Sequence, residues 1–205
     1  MSLCLISASH RPNAQSQSFR LSQVLERQWK SLFPKEASHV FSLENNPLPL
    51  WDDSVWKGDQ KWTSVWKPIS EIFKASQAFV IVVPEWGGMV PPGLKNLFLL
   101  ASAFEFAHKP ALIVSVSTGL GGSYPVTELR SSSYKNTHIC YLPDHLILRQ
   151  AGELFKNSDA PETQTEKEIM ARIQYSLKLL HSYSQALIQV REAHQSEFSQ
   201  FPYGP

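Results

Sequence analysis

Alternation of short apolar runs with amphipathic stretches predicts an α/β fold, a doubly wound parallel sheet of five strands with helices on both faces and a long helix at the C-terminal end. Three observations carry it. Runs at Leu3–Ser7, Ala78–Val83 and Ala111–Ser117 read as buried strands. The segments between them carry helical spacing, which requires crossover connections and hence parallel pairing. With 205 residues the chain is long enough for one well-buried domain and short for two.

The first strand runs into a polar loop from His10 to Gln17, and then Phe19, Leu21, Val24, Leu25 and Trp29 recur as one face of a helix. Ser38–Leu43 is a weaker strand. The stretch Asn45–Asp59, rich in Pro and Trp, follows neither period and reads as a loop. Trp62, Val65, Trp66, Ile69, Ile72 and Phe73 form a helical face leading to the strand at Ala78. The sequence LKNLFLLASAFEFA, from Leu94 to Ala107, reads as one helix that is apolar around most of its circumference. A helix-like stretch over Pro125–Ser133 precedes a strand expected at Asn136–Leu142. Thr163 and Glu166 have the spacing of a capping box, opening a long helix through Ile169, Ile173, Leu177, Leu180, Leu187 and Val190. Residues 1–195 are expected to form the domain and residues 196–205 an irregular tail.

The 19 Lys and Arg nearly balance 18 Asp and Glu, so no global field recruits nucleic acid or an anionic membrane. The N-terminus has neither the apolar length nor the basic lead of a signal peptide, and no run approaches the roughly 20 apolar residues of a membrane span. A cytoplasmic protein is the expectation. Cys4 and Cys140 lie in apolar runs without His or Cys at short spacing, which reads as core thiols and neither a zinc site nor a disulfide.

A parallel sheet of this kind binds ligands beyond the carboxyl ends of its strands, where the strand order reverses. Three loops qualify. The first, SASHRPNAQSQS, runs into a helix N-terminus, where free amides and the helix dipole favour an anion; Ser9, Ser16 and Ser18 add hydroxyls and Arg11 a fixed charge, so a phosphate is the natural guest. Read alone, it is equally an ordinary polar loop with Ser18 capping the helix. The second, from Pro84 to Met89, offers Trp86 as a flat platform, with Gly87 and Gly88 letting backbone approach closely. The third, STGLGGS, presents backbone amides in place of acids or bases. No G-x-G-x-x-G or G-x-x-x-x-G-K-[ST] pattern accompanies them.

Together these loops suit a phosphorylated planar cofactor, and here a family resemblance becomes specific. Ser9 and Arg11 followed by Ser16, Gln17 and Ser18; PEWGGMVPPGLKN with Pro84, Glu85, Pro92, Gly93, Leu94, Lys95 and Asn96; and Lys109 and Pro110 followed by Ser117, Gly119, Gly121 and Gly122 resemble the signatures of the NADPH-dependent FMN reductase family. That family is a flavodoxin-like group that includes azoreductase-like, quinone and chromate reductases. The resemblance spans roughly residues 3 to 155, and PGLKN is its most specific piece. Trp86 stands where the family has Tyr, Gly87 where it has Asn, and Ala8 where it has Gly.

The resemblance implies FMN as cofactor and NADPH or NADH as hydride donor. Ser9, Arg11, Ser16, Gln17 and Ser18 would hold the phosphate, Pro84, Glu85, Trp86, Gly87, Gly88 and Met89 would line the isoalloxazine, and Ser117, Thr118 and Gly119 would support its other edge. Hydride would pass to the flavin and then to a small acceptor such as a quinone, free flavin, azo compound or metal oxyanion in a ping-pong cycle, with no catalytic side chain and no metal. The rivals are a flavodoxin-type electron carrier, which the near-zero charge disfavours, and a degenerate member serving as a binding scaffold. The apolar helix and the resemblance together imply a homodimer, or a homotetramer, in which the loop around Trp51 and Trp56 helps close the partner's flavin site.

Overall fold

The computed structural model describes residues 1–157, 160–198 and 200–201. Five parallel strands, β1 (Ser2–Ser7), β2 (Ala37–Ser42), β3 (Ala78–Pro84), β4 (Pro110–Val116) and β5 (Cys140–Leu148), form one sheet in the order β2-β1-β3-β4-β5. This is the flavodoxin-like arrangement, and the order reverses between β1 and β3. Every residue of β3 and β4 is buried, as expected for central strands covered on both faces.

Side-chain alternation divides the core into two layers. Leu3, Leu5, Val80, Val82, Leu112 and Val114 face α1 (Gln17–Leu32) and α7 (Gln164–Phe198). Cys4, Ile6, Phe79, Ile81, Ala111 and Ile113 face the opposite layer, built from α2 (Gln60–Ala75), α3 (Pro92–Leu100), α4 (Ala103–Phe106) and α5 (Tyr124–Ser131). The long helix docks on the first layer through Ile173, Leu177 and Leu180, all fully buried. Its capping box forms as the spacing predicts: Thr163 Oγ1 accepts the Glu166 amide at 3.1 Å and Glu166 Oε2 accepts the Thr163 amide at 3.0 Å. The helix runs through Phe198, and the rest of the expected tail lies largely outside the described residues.

Two expectations are corrected. The apolar run from Leu94 to Ala107 is not one helix: Ala101 is extended, and Ser102 starts α4 with its own capping box, its amide donating to Glu105 Oε2 at 2.8 Å. The other Glu105 oxygen accepts Ser70 Oγ of α2 at 2.6 Å. This break folds the run into two short helices and buries Leu94, Leu97, Phe98, Leu100 and Phe106 within the monomer, leaving Leu99 and Phe104 exposed.

The second concerns the edge strand. Tyr134–Thr137 is a short helix (α6), and β5 begins only at Cys140 and continues past Pro143 to Leu148. The expected strand stops at Leu142, whereas β5 runs on through Pro143 and Asp144, where the pairing register with β4 shifts between Ala111 and Ile113. Arg130 supplies what the irregularity removes, donating to the carbonyls of Leu142 at 2.6 Å and Pro143 at 3.0 Å.

Candidate functional site

The loops following β1, β3 and β4 meet at the carboxyl edge of the sheet, beside the reversal of strand order. The first is tied down at both ends. The Ala8 amide continues the ladder to the Val82 carbonyl at 2.9 Å, and the Asn13 amide donates to Glu44 Oε1 at 2.8 Å, just after β2. Helix α1 begins at Ser16, whose side chain accepts the Phe19 amide at 3.2 Å. Ser16, not Ser18, is therefore the cap. In a helix so capped, the first amides, those of Gln17 and Ser18, have no acceptor within the helix and face the space ahead of it.

Buried Ser9 closes the near side, its Oγ accepting the Arg11 amide at 3.3 Å, while the Arg11 side chain is exposed. Arg20 is a brace in the same region. Its guanidinium donates to Gln17 Oε1 at 2.9 Å and to the carbonyls of Ala151 at 2.7 Å and Phe155 at 3.0 Å, fastening the start of α1 to the turn after β5.

The second loop is a closed hairpin turn. Trp86 and Met89 exchange both backbone hydrogen bonds at 3.1 Å, and the intervening Gly87 and Gly88 have φ of 59° and 73°. Two successive left-handed residues make a tight primed turn that glycine enters without strain. The Trp86 ring meets His10 edge to face, with centroids 5.6 Å apart. His10 in turn occupies space that exists because residue 93 is glycine: a Cβ there would stand 2.0 Å from His10 Nε2. Burial lowers the His10 pKa below the usual imidazole value.

Glu85 joins the second loop to the third. Its Oε2 accepts the amides of Gly122 at 2.8 Å and Tyr124 at 3.2 Å, at the start of α5, and Gly121 packs so close that a Cβ would lie 2.6 Å from Oε1. In the third loop the Gly119 amide turns back to Ser117 Oγ at 3.2 Å, and Arg149 Nε holds the Leu120 carbonyl at 2.7 Å. The amides of Gly119 and Gly122 are thus engaged within the protein, fewer free donors than the glycine count suggests.

The PGLKN segment is scaffold. Buried Asn96 accepts the Trp51 amide at 2.8 Å and donates to the Pro49 carbonyl at 2.8 Å, pinning the Trp-rich loop. Lys95 pairs with Glu128, whose other oxygen accepts the Val90 amide at 2.7 Å. Burial alone would raise the Glu128 pKa; Lys95 and that amide outweigh it and hold the carboxyl below its ordinary range.

These contacts bring Ser9, Arg11, Ser16, Gln17, Ser18, Pro84, Glu85, Trp86 and Thr118 around one cavity of about 120 Å³. Gln15 and Val116 also line it and were not anticipated; Gln15 sits inside the very loop that the helix-start pattern marks. Gly87, Gly88, Met89, Ser117 and Gly119 are not brought to this cavity: the glycines and Met89 form the turn beside it, and Ser117 caps Gly119. The volume falls below the roughly 300 Å³ at which small-molecule pockets begin, so the cavity suits one end of a ligand while the remainder lies along the open edge. An anionic end fits its donor set of serine hydroxyls, a guanidinium and helix-start amides.

A family model described as NADPH-dependent FMN reductase matches residues 1–153. An NADPH azoreductase of Bacillus sp. (strain OY1-2) is 24% identical over 136 residues, covering 64% of this chain and 75% of that protein. Among solved structures, FerB, a flavoenzyme NAD(P)H:(acceptor) oxidoreductase from Paracoccus denitrificans, superposes with a TM-score of 0.69 at 16% identity, over 90% of this chain and 97% of that one. An FMN-dependent NADH-azoreductase from Bacillus anthracis str. Ames Ancestor, solved in complex with FMN, gives 0.59 at 17% identity, over 87% of this chain and 98% of that one.

Proposed function

The chain belongs to the NADPH-dependent FMN reductase family, and on that premise we propose how its own residues serve the reaction. It is an FMN-dependent NAD(P)H oxidoreductase, and the proposal concerns where the cofactor sits and what receives the electrons. The observation that carries it is the single cavity joining the start of α1 to the Pro84–Trp86 segment and Thr118 at the point where strand order reverses.

The FMN phosphate is read into that cavity, held by Ser9, Ser16, Ser18, the Arg11 guanidinium and the first amides of α1. The Trp86–Met89 turn provides an aromatic edge and a backbone wall beside it, fixed from behind by His10 and from the side by Glu85. The chemistry that FMN would supply there is hydride exchange between a nicotinamide and a quinone, free flavin, azo compound or metal oxyanion in alternating half-reactions. The chain's part is to bind, orient and shield; no side chain is asked to transfer a proton.

Residues 1–195 are read as one domain, supported by the packing of Ile173, Leu177 and Leu180 of α7 on the sheet. The proposed homodimer rests on exposed Phe104, the outward remainder of the α4 face, and its two free cysteines are in keeping with a cytoplasmic protein.

The test titrates purified apoprotein with FMN and with riboflavin by fluorescence quenching, then follows NADPH and NADH oxidation by the FMN-loaded protein. Tight FMN, weaker riboflavin and steady-state oxidation with an added quinone are expected. Equal affinity for the two flavins overturns the phosphate assignment, and a flavin-loaded protein that oxidises neither nicotinamide overturns the activity.

A further inference from the structure

At the amino edge of the sheet, opposite the cradle, the turns before β4 and β5 are fastened to each other. The His108 amide donates to the His138 carbonyl at 2.9 Å, and the Cys140 amide to the Lys109 carbonyl at 3.0 Å. Both histidines are left-handed, with φ of 52° and 53°, a conformation uncommon outside glycine and frequent at functional sites. Their rings come side by side, with centroids 5.9 Å apart. Helix α7 brings Arg191 to the same place, its Nη1 donating to the His108 carbonyl at 3.0 Å, and the guanidinium fork has donors beyond the one that this bond uses.

Positive charge gathers here without a matching negative one. Burial lowers the His108 pKa, and His138, His194 and Arg191 lower it further. Burial and then Arg191 push Lys109 down to about 7, with Lys74 adding to the effect and Glu105 and Cys4 opposing it. The Lys109 ammonium is spent on the carbonyls of Phe73 and Lys74. The carboxylates nearby are committed too, since Glu105 accepts Ser70 and Ser102 and Glu197 pairs with His194; exposed Glu192 flanks Arg191. Burial raises the Cys140 pKa, so its thiol adds no negative charge. Nε2 of His138 is buried and lacks a hydrogen-bond partner among the described residues. A guanidinium repels a cation, and no cluster of three or more His, Cys, Asp or Glu suited to a metal occurs among the described residues. An anion is the complement.

We infer that the amino edge of the sheet, where His108, His138 and Arg191 meet, binds a tetrahedral oxyanion of the sulfate or phosphate type, at a site separate from the cradle of α1. The guanidinium fork supplies fixed donors and the imidazoles supply the rest once protonated, so binding and proton uptake favour each other. Affinity therefore rises as pH falls. The site does not rest on the flavin reading.

The probe is sulfate, whose charge is constant between pH 6 and 8, titrated into FMN-saturated protein so that the cradle is filled, and followed through the ring-proton NMR signals of His108 and His138. Saturable binding of one sulfate per chain is expected, at least about fivefold tighter at pH 6 than at pH 8, with the titration midpoints of both imidazoles moving upward as sulfate binds. Arg191→Gln and His138→Asn should each weaken it by at least about fivefold. Asparagine accepts the left-handed backbone, so the second variant keeps the turn even where loss of Arg191 loosens α7. Arg11→Ala should leave sulfate binding unchanged, which separates this site from the cradle whether or not flavin fills it. Competition by glycerol phosphate extends the site to phosphate esters, and its absence restricts it to free oxyanions; the site stands in both cases. Binding lost in Arg11→Ala, wild-type affinity in both Arg191→Gln and His138→Asn, or no saturable binding at pH 6 overturns it. Equal affinity at the two pH values overturns the coupling to protonation.

Discussion

Replacing Gly93 by Ala tests the contact on which the flavin turn rests. The added Cβ would stand 2.0 Å from His10 Nε2 and 2.6 Å from Cε1, with Asn46 Oδ1 at 3.0 Å closing the other side. To restore ordinary contact at 3.4 Å the imidazole must retreat by about 1.4 Å, and its outward path is occupied by the Trp86 ring. Overpacking of this kind costs about 1 to 3 kcal/mol. Against it stands up to ~1 kcal/mol gained by exchanging glycine for alanine in a helix. With the full helix gain set against that cost, a net loss of about 0 to 2 kcal/mol follows for the single variant. In a His10→Ala background the clash partner is gone, and the same substitution should become neutral or stabilising by up to ~1 kcal/mol. Urea denaturation of the four proteins of the cycle would thus yield an interaction energy of about 1 to 3 kcal/mol, with FMN affinity falling in Gly93→Ala and not further in the double variant. Additive effects, or a Gly93→Ala protein more stable than wild type, would refute the packing account.

Arg11→Ala should weaken FMN by about 1.5 to 3 kcal/mol and leave riboflavin unchanged in a quenching titration, as expected for the loss of one charge-assisted contact to a phosphate. Trp86→Ala should lower FMN affinity or shift the flavin reduction potential with the thermal transition intact; no change in either assigns the ring to packing alone. Phe104→Glu, at a site 59% exposed, should leave the monomer folded and convert a dimer to monomer in light scattering, and a monomeric wild-type protein refutes the interface. Lys109 governs a pH dependence: burial pushes its pKa from 10.5 to about 7, so between these values the unfolded chain binds a proton that the folded one does not. Stability should therefore rise from pH 7 toward pH 9 by at most about 1.4 kcal/mol per unit, less to the extent that the carbonyls of Phe73 and Lys74 retain the ammonium. A flat profile from pH 7 to 9 refutes the depressed value. Above pH 9 the rise should level off, because burial holds the Cys4 thiol up at about 12 while the unfolded thiol ionises, and this slope opposes that of Lys109.

Period and punctuation made most of the fold legible. The strands at the centre of the sheet are continuous apolar runs bounded by breakers, and the helices that cover them show one stripe each. What misled the reading was apolar continuity across a break. LLASAFEF carries enough leucine and phenylalanine to look like one helix, but Ser102 and Glu105 inside it have the same three-residue spacing that correctly marked Thr163 and Glu166. The signal was present and was masked by hydrophobicity. The edge strand misled in the opposite way: the expected strand stopped at Leu142, before Pro143, whereas β5 continues to Leu148 with Arg130 donating to the carbonyls at the irregularity.

The site divides along the same line. Residues whose chemistry is local, the serines at a helix start and glycines at left-handed positions, were readable because their partners lie within a few residues. Glu85 and Glu128 were not, because the amides they accept lie 37 and 38 residues away, and nothing near a carboxylate in sequence declares that its partner is distant. Glu85 was legible as a charged residue in a ligand loop, which invites a binding role, and it received one. The bonds of Glu85 and Glu128 also make them the ties between neighbouring loops: Glu85 joins the turn after β3 to the start of α5, and Glu128 of α5 returns to the far end of the same turn. The turn that presents Trp86 is thus tied to α5 at both ends, by Glu85 reaching the amides at the start of that helix and by Glu128 reaching back from it. A displacement of α5 would reach the flavin edge through these two carboxylates, one of which, Glu85, itself lines the cradle.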